Sequence, residues 1–235
     1  MSTFVIGDIH NALEKFENII TQISPSKQDY IYLLGYLFDR GGADPDPVGV
    51  YFKFLELKLN SNVTWIRGNH DQRIAEYIYR YYSSAEKKRG RMNPYNNNSF
   101  EIIKNRLVEV DILNLADLIV NLPLQKKIEI GSTRYLLAHA MTINPANSTQ
   151  DTGIYLEGSS IMQEYWDRGV DGYVSLVGHH DSLFQRKNPN GKYLDKETSS
   201  IWINELGNVY MMDCGCGLNG RLACICLETG ERFYA

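Results

Sequence analysis

Every histidine of this chain lies where an apolar run gives way to a polar cluster. FVI leads into Gly7-Asp8-Ile9-His10, YIYLL into Gly35-Tyr36-Leu37-Phe38-Asp39-Arg40-Gly41, and VTWIR into Gly68-Asn69-His70-Asp71. YLLA leads into His139, and YVSLV into Gly178-His179-His180. Side chains of His, Asp and Asn carried to the ends of buried strands can converge on one point, and such donors suit a divalent or trivalent metal. Asp8 and His10 are two residues apart, so an extended backbone places carboxylate and imidazole on one side. Asn69 and His70 are neighbours, which lets an amide oxygen bind metal while the imidazole points elsewhere. Taken singly, His139 and His179 read equally well as satisfied core histidines; the series of five strand ends does not. Tyr36 breaks the pattern, standing where the other clusters lead one to expect an aspartate.

The elements that must position these groups follow from spacing. Asn11 reads as a helix cap, with Glu14 completing a capping box, and Leu13, Phe16, Ile20 and Ile23 recur at helical intervals up to Ser24-Pro25. A strand is expected at residues 30–34. Asp46-Pro47 then opens a second helix that should turn Val48, Tyr51, Phe52, Leu55 and Leu59 to the core. A third strand covers residues 63–66. This alternation predicts an α/β layered fold with parallel strands in its first half, and ligands in such sheets bind beyond the carboxyl ends of the strands. Residues 73–119 read as helical with a break at SSAEKKRGRMNPYNNN, an exposed loop in which the basic run Lys87 to Arg91 is either solvated or available to a polyanion. KKIEI and TRYLLAHA form a hairpin across Gly131-Ser132; residues 157–166 read as a short helix and QRKNPNGKYLDKETSS as a polar loop. Three short strands are expected from Ile201 onward. With no repeat and no clear linker, residues 1–235 read as one domain carrying a mostly helical insertion at 73–122.

Bulk properties exclude little but are consistent. An apolar fraction of 43% and a charged fraction of 22% are those of an ordinary soluble domain. The net charge of −4 gives no general attraction to nucleic acid or to an anionic membrane. No apolar run nears the roughly 18–20 residues that span a bilayer, and no secretory signal is visible, so a cytoplasmic location is expected. Cys214, Cys216, Cys224 and Cys226 form a C-x-C pair twice over, which is compatible with zinc. The simpler reading of MMDCGCGLNGRLACICLE is two strands joined by a Gly/Asn turn, the cysteines serving as small buried hydrophobes with free thiols.

GDIH, GYLFDRG and GNHD in order, followed by two strand-end histidines, resemble the calcineurin-like metallophosphoesterases, whose motifs read GDxHG, GDxxDRG and GNHE/D. The likeness is to the branch with the Ser/Thr protein phosphatases and the diadenosine-tetraphosphate hydrolases, and it runs from Phe4 to the closing strands. It implies a four-layer α/β/β/α sandwich of two mixed sheets flanked by helices, with a helical insertion. It implies two divalent or trivalent metal ions (Mn, Fe or Zn), with Asp8 and His10 on the first and Asn69, His139 and His179 on the second. His70 would be the general acid, oriented by Asp39, and Arg40 would grip the phosphate. Trp166-Asp167-Arg168 resembles a Trp-x-Arg segment, making Arg168 a second phosphate-binding candidate or else a surface ion-pair partner. Asn11, Met141 and His180 depart from the pattern without removing a ligand; Met141 is expected to narrow the substrate approach and His180 to add a polar contact.

Tyr36 does remove one, because the family's aspartate there bridges both metals. A phosphoesterase of this kind holds its ions about 3.5–4 Å apart around a shared hydroxide. A phenol titrates near about pH 10, its oxygen stands further out than a carboxylate, and its ring takes up space. The chain is therefore an inactive form, natural or made to hold substrate; or it keeps one metal and weak activity; or the phenolate itself binds metal. The resemblance implies a metal-dependent phosphoesterase acting on a phosphoprotein, a dinucleoside polyphosphate or a small phosphomonoester. The alternative is a pseudo-phosphatase that binds phosphorylated ligands through Arg40.

Overall fold

The computed structural model describes residues 1–89, 91–147, 149–180 and 190–235. Its elements run β1 Thr3–Ile6, α1 Leu13–Ile23, β2 Tyr30–Leu33, α2 Pro47–Asn60, β3 Asn62–Trp65, α3 Asn69–Ser83, α4 Glu86–Arg89, α5 Ser99–Arg106 and α6 Glu109–Val120. There follow β4 Gln125–Ile130, β5 Thr133–Ala138, α7 Thr152–Glu157, α8 Met162–Arg168, β6 Val174–Val177, β7 Gly191–Tyr193, β8 Trp202–Asn204, β9 Val209–Met211, β10 Ala223–Cys226 and β11 Arg232–Tyr234.

These form two mixed sheets. One has the order β11-β10-β1-β2-β3 and the other β4-β5-β6-β9-β8-β7. Strands β1, β2 and β3 are parallel, as are β5, β6 and β9. The period-2 alternation of strand side chains feeds separate cores. Phe4, Ile6, Ile31 and Leu33 face outward under α1, α2, α3, α5 and α6. Val5, Tyr32, Leu34 and Ile66 meet Leu137 and Leu176 between the sheets. Leu136, Val177, Val209 and Met211 pack beneath Tyr165 of α8 on the far side. The expected α/β/β/α sandwich is what the chain forms.

Several local expectations fail for identifiable reasons. Asn11 does not cap α1: Ala12 occupies that place, and Asn11, at φ 60°, turns its side chain inward to Ser99. Asp46 does cap α2, accepting from Gly49 N–H at 2.8 Å. That helix buries the expected Val48 and Tyr51 and also Val50, Phe54 and Leu57, but it leaves Phe52 51% and Leu59 84% exposed. It is apolar on most sides, so spacing alone does not choose its inner face. The short helix expected at 157–166 is two, parted at Gly158, whose φ of 86° suits glycine. Four strands, not three, follow Ile201. The segment holding the cysteines is not a hairpin, because β9 and β10 lie in different sheets. Cys224 and Cys226 pack under the helices with Cys216, while Cys214 lies between the sheets; all four are buried and none is in a disulfide. Strand β7 lies in the stretch expected to be a polar loop, of which residues 185–189 fall outside the described residues. Arg89 folds back over the rings of Tyr81 and Tyr82, so that cation of the basic run is spent locally.

Candidate metal centre at the strand ends

Six parallel strands deliver the site. Asp8 and His10 follow β1, residues 36–40 follow β2, and Asn69 and His70 open α3 after β3. His139 follows β5, His179 follows β6, and Asp213 follows β9. Backbone strain gathers here. Of the eight non-glycine residues described at positive φ, six are His10, Asn11, Tyr36, Asp39, Arg40 and His179. For a bulky tyrosine, φ 49° is a genuine outlier, of the sort that clusters at functional sites. The approach is also tight: a Cβ on Gly178 would lie 1.9 Å from Asp8 Oδ1.

Tyr36 stands in the middle, 2% exposed. Its ring centroid is 4.4 Å from that of His10, 4.5 Å from His70 and 4.1 Å from His139. Its hydroxyl shares a 2.7 Å hydrogen bond with His179 Nδ1. Burial raises its pKa, and the nearby Asp8 raises it further, so the phenol stays protonated. Around it are buried polar atoms with no hydrogen-bond partner: Asp8 Oδ1, His10 Nε2, Asn69 Oδ1 and His139 Nε2. Unpaired buried acceptors of this kind cost roughly 1–3 kcal/mol each. They are the atoms a cation would take. His139 Nδ1–H donates to the Leu34 carbonyl at 2.7 Å and His10 Nδ1–H to the Asp39 carbonyl at 3.2 Å, which leaves each Nε2 as the lone-pair nitrogen. Burial, then the neighbouring Arg40, holds the pKa of His10 low. Burial, then His179, does the same for His139, and burial brings His179 down to about 3. Neutral imidazoles are what metal binding requires. Asp8 moves the other way, raised by burial and then by Asp213.

A second group lies beside this one. His70 Nδ1–H donates to Asp39 Oδ2 at 2.7 Å, and the Tyr95 hydroxyl donates to the same oxygen at 2.7 Å. Asp39 is fully buried and holds the imidazole by Nδ1, with the His70 ring centroid 4.5 Å from that of Tyr36. Asp71 is not part of the donor set. It accepts from Leu37 N–H, Trp65 Nε1–H and Gly68 N–H, tying the second strand end to the third, and burial still pushes its pKa up to about 7. Arg40 is exposed, with its guanidinium carbon 6.0 Å from the Tyr36 ring centroid. Along α3, one turn past His70, a cavity of about 570 Å³ is lined by Arg73, Tyr77, Arg80 and Tyr95.

The structure brings together Asp8, His10, Tyr36, Asp39, Arg40, Asn69, His70, His139 and His179. It leaves Arg168 out. That side chain pairs with Glu164 on the surface at 3.4 Å, and its carbonyl accepts from Asn208, next to the amino end of β9, the end opposite Asp213. Met141 is packed into the outer core with Tyr165 and does not narrow an approach. His180 packs against Trp166 and His179, with ring centroids 5.2 and 4.5 Å away. Sequence reading missed Asp213. One ligand-capable atom from each of Asp8, His10 and Asp213 lies within 4.8 Å of the others. The signal was there: VYMM before Asp213 is a sixth apolar run ending in a polar residue.

Comparison with known proteins gives the family and the fold. The family model described as calcineurin-like phosphoesterase matches residues 1–211. A symmetrical bis(5'-nucleosyl)-tetraphosphatase of Pectobacterium atrosepticum is 38% identical over 72 residues, 30% of this chain and 24% of that protein. The chain thus matches about a quarter of that relative's length. A solved structure described as a candidate diadenosine tetraphosphatase superposes with a TM-score of 0.61 at 17% identity, covering 100% of this chain and 92% of the other. A protein serine/threonine phosphatase of Saccharomyces cerevisiae gives a TM-score of 0.53 at 15% identity, covering 100% and 79%. At such identities the likeness is one of fold.

Proposed function

This chain belongs to the calcineurin-like phosphoesterase family, and from that premise we propose that it is a metal-dependent phosphoesterase whose activity is impaired by Tyr36. The observation that carries the reading is the set of four orphaned, buried donor atoms beside an Asp39-braced His70. Asp8, His10, Asn69, His139 and His179 are the residues that would hold metal. A bound ion of this kind supplies Lewis acidity toward a phosphoryl oxygen and acidifies a coordinated water. Arg40, at the exposed rim, binds phosphate oxygens, for which its planar fork is suited. His70 Nε2 gives a proton to the departing ester oxygen, and the Asp39 carboxylate stabilises the imidazolium that carries it there. Arg73 and Arg80 line the cavity along α3 together with Glu76, and Arg73 pairs with Glu157, so the substrate class stays open among a dinucleoside polyphosphate, a phosphoprotein and a small phosphomonoester. Four buried cysteines outside any disulfide fit a reducing compartment such as the cytoplasm.

The central ring favours a second reading, in which the chain binds a phosphorylated ligand without turning it over. Rates decide between them. The wild type, Tyr36→Asp, and Tyr36→Asp with His70→Asn are assayed with Mn²⁺, Fe²⁺ or Zn²⁺ on a phosphomonoester, a phosphopeptide and a dinucleoside tetraphosphate. Tyr36→Asp should be at least about 100-fold faster than the wild type, because loss of even an outer-shell partner costs roughly 10–100-fold. His70→Asn should then remove about 10²–10⁴-fold. If Tyr36→Asp hydrolyses nothing, the phosphoesterase reading fails and the binding reading stands.

A further inference from the structure

The Tyr36 ring packs against both His139 and His10, with centroids 4.1 and 4.4 Å away. The donor set around His10 is the more complete. There Asp8, His10 and Asp213 are 1%, 0% and 3% exposed and converge within 4.8 Å from the ends of strands in different sheets. Asp8 Oδ1 and His10 Nε2 have no hydrogen-bond partner. The two carboxylates are each anchored by the backbone: Asp8 Oδ2 accepts from His179 N–H and Asp213 Oδ1 from Gly215 N–H, both at 2.9 Å. Such anchoring orients metal ligands. Two buried carboxylates at this separation repel unless positive charge is shared between them. Two carboxylates and an imidazole are donors suited to a first-row divalent cation. The family match ends at residue 211, short of this carboxylate.

We propose that Asp213 joins Asp8 and His10 as the third ligand of a single divalent transition-metal cation, in a site that needs no carboxylate at residue 36. The inference rests on the metal-dependent phosphoesterase reading above and specifies which of the two expected ions this chain retains. The ion lies among Asp8, His10 and Asp213.

The test is binding, with chelator-stripped full-length protein titrated with Mn²⁺ and free ion followed by electron paramagnetic resonance. One ion per wild-type chain is expected. Asp213→Asn keeps the shape of the residue and an oxygen for Gly215 N–H, and melting of the metal-free protein verifies its fold. It should weaken Mn²⁺ by more than about tenfold, since outer-shell changes alone reach roughly 10–100-fold. Arg168→Ala, on the surface and paired with Glu164 away from the site, should leave the affinity within about threefold, well inside that range. Should Asp213→Asn not fold, Asp213→Cys loaded with Co²⁺ is the second probe: a near-ultraviolet thiolate-to-cobalt band absent from the wild type is expected. Wild-type affinity in Asp213→Asn, no band in Asp213→Cys, or an affinity weakened as much in Arg168→Ala as in Asp213→Asn overturns the proposal. Failure of the phosphoesterase reading looks different: the ion stays dependent on Asp213 while no form hydrolyses any ester.

Discussion

Replacing Tyr36 by aspartate should destabilise the metal-free protein and make it far more responsive to metal. The ring is 2% exposed and touches three imidazoles. Emptying so large a buried side chain costs about 3–5 kcal/mol. A further carboxylate beside Asp8 and Asp213 adds to that until it takes up a proton. Relief of the left-handed backbone offsets about 1 kcal/mol, because aspartate tolerates that region better than tyrosine. The net loss is about 3 kcal/mol, which for a chain of this size lowers the Tm by roughly 6–12 °C. Metal then closes most of the gap. Each ion at 100 times its Kd contributes about 2.7 kcal/mol, so two ions in the variant give about 5.4 and one in the wild type about 2.7. Calorimetry in chelator and in Mn²⁺ reads both effects. The Mn²⁺-induced rise in Tm should be about twice as large in Tyr36→Asp as in the wild type. Equal rises in the two proteins, or no loss of stability in chelator, would refute the view that the ring stands where an ion belongs.

Gly178→Ala should abolish tight Mn²⁺ binding, because its Cβ would lie 1.9 Å from Asp8 Oδ1 and displace that carboxylate; titration checks it, and wild-type affinity would count against Asp8 as a ligand. Asp29 gives a pH signature away from the site. Its pKa is depressed first by the Ser26 N–H bond, and Ser2 N–H adds to this. A depressed carboxylate contributes stability that is present above its unfolded pKa of about 3.9 and is lost as pH falls through the folded value. Asp29→Asn should therefore melt below the wild type near pH 7, with the gap closing below about pH 4; a gap that stays constant with pH would contradict this origin.

Much of the chemistry was legible locally. Asp8 and His10, Asn69 and His70, and Asp39 with Arg40 are marked by type and spacing within short segments, and strand alternation dictates which side chains face which layer. The cap at Asp46 and the hairpin joining β4 and β5 were readable for the same reason: their signals span a few residues. Where signals lay beyond a segment, reading faltered. The apolar girdle of α2 offered no inner face until sheet and helices closed around it. Arg168 carried a plausible motif, yet its helix sets it at the wrong end of the sheet.

The sequence alone determined the family, the order of the strand ends and the oddity of Tyr36. Only the tertiary structure decided what fills the centre and which carboxylate answers it. The Tyr36 hydroxyl meets His179 across 143 residues, and Asp8 accepts from His179 across 171. The joining of Asp213 to Asp8 and His10 is likewise fixed by two sheets meeting at one edge. Such contacts arise from packing between layers, and no periodicity along the chain encodes them.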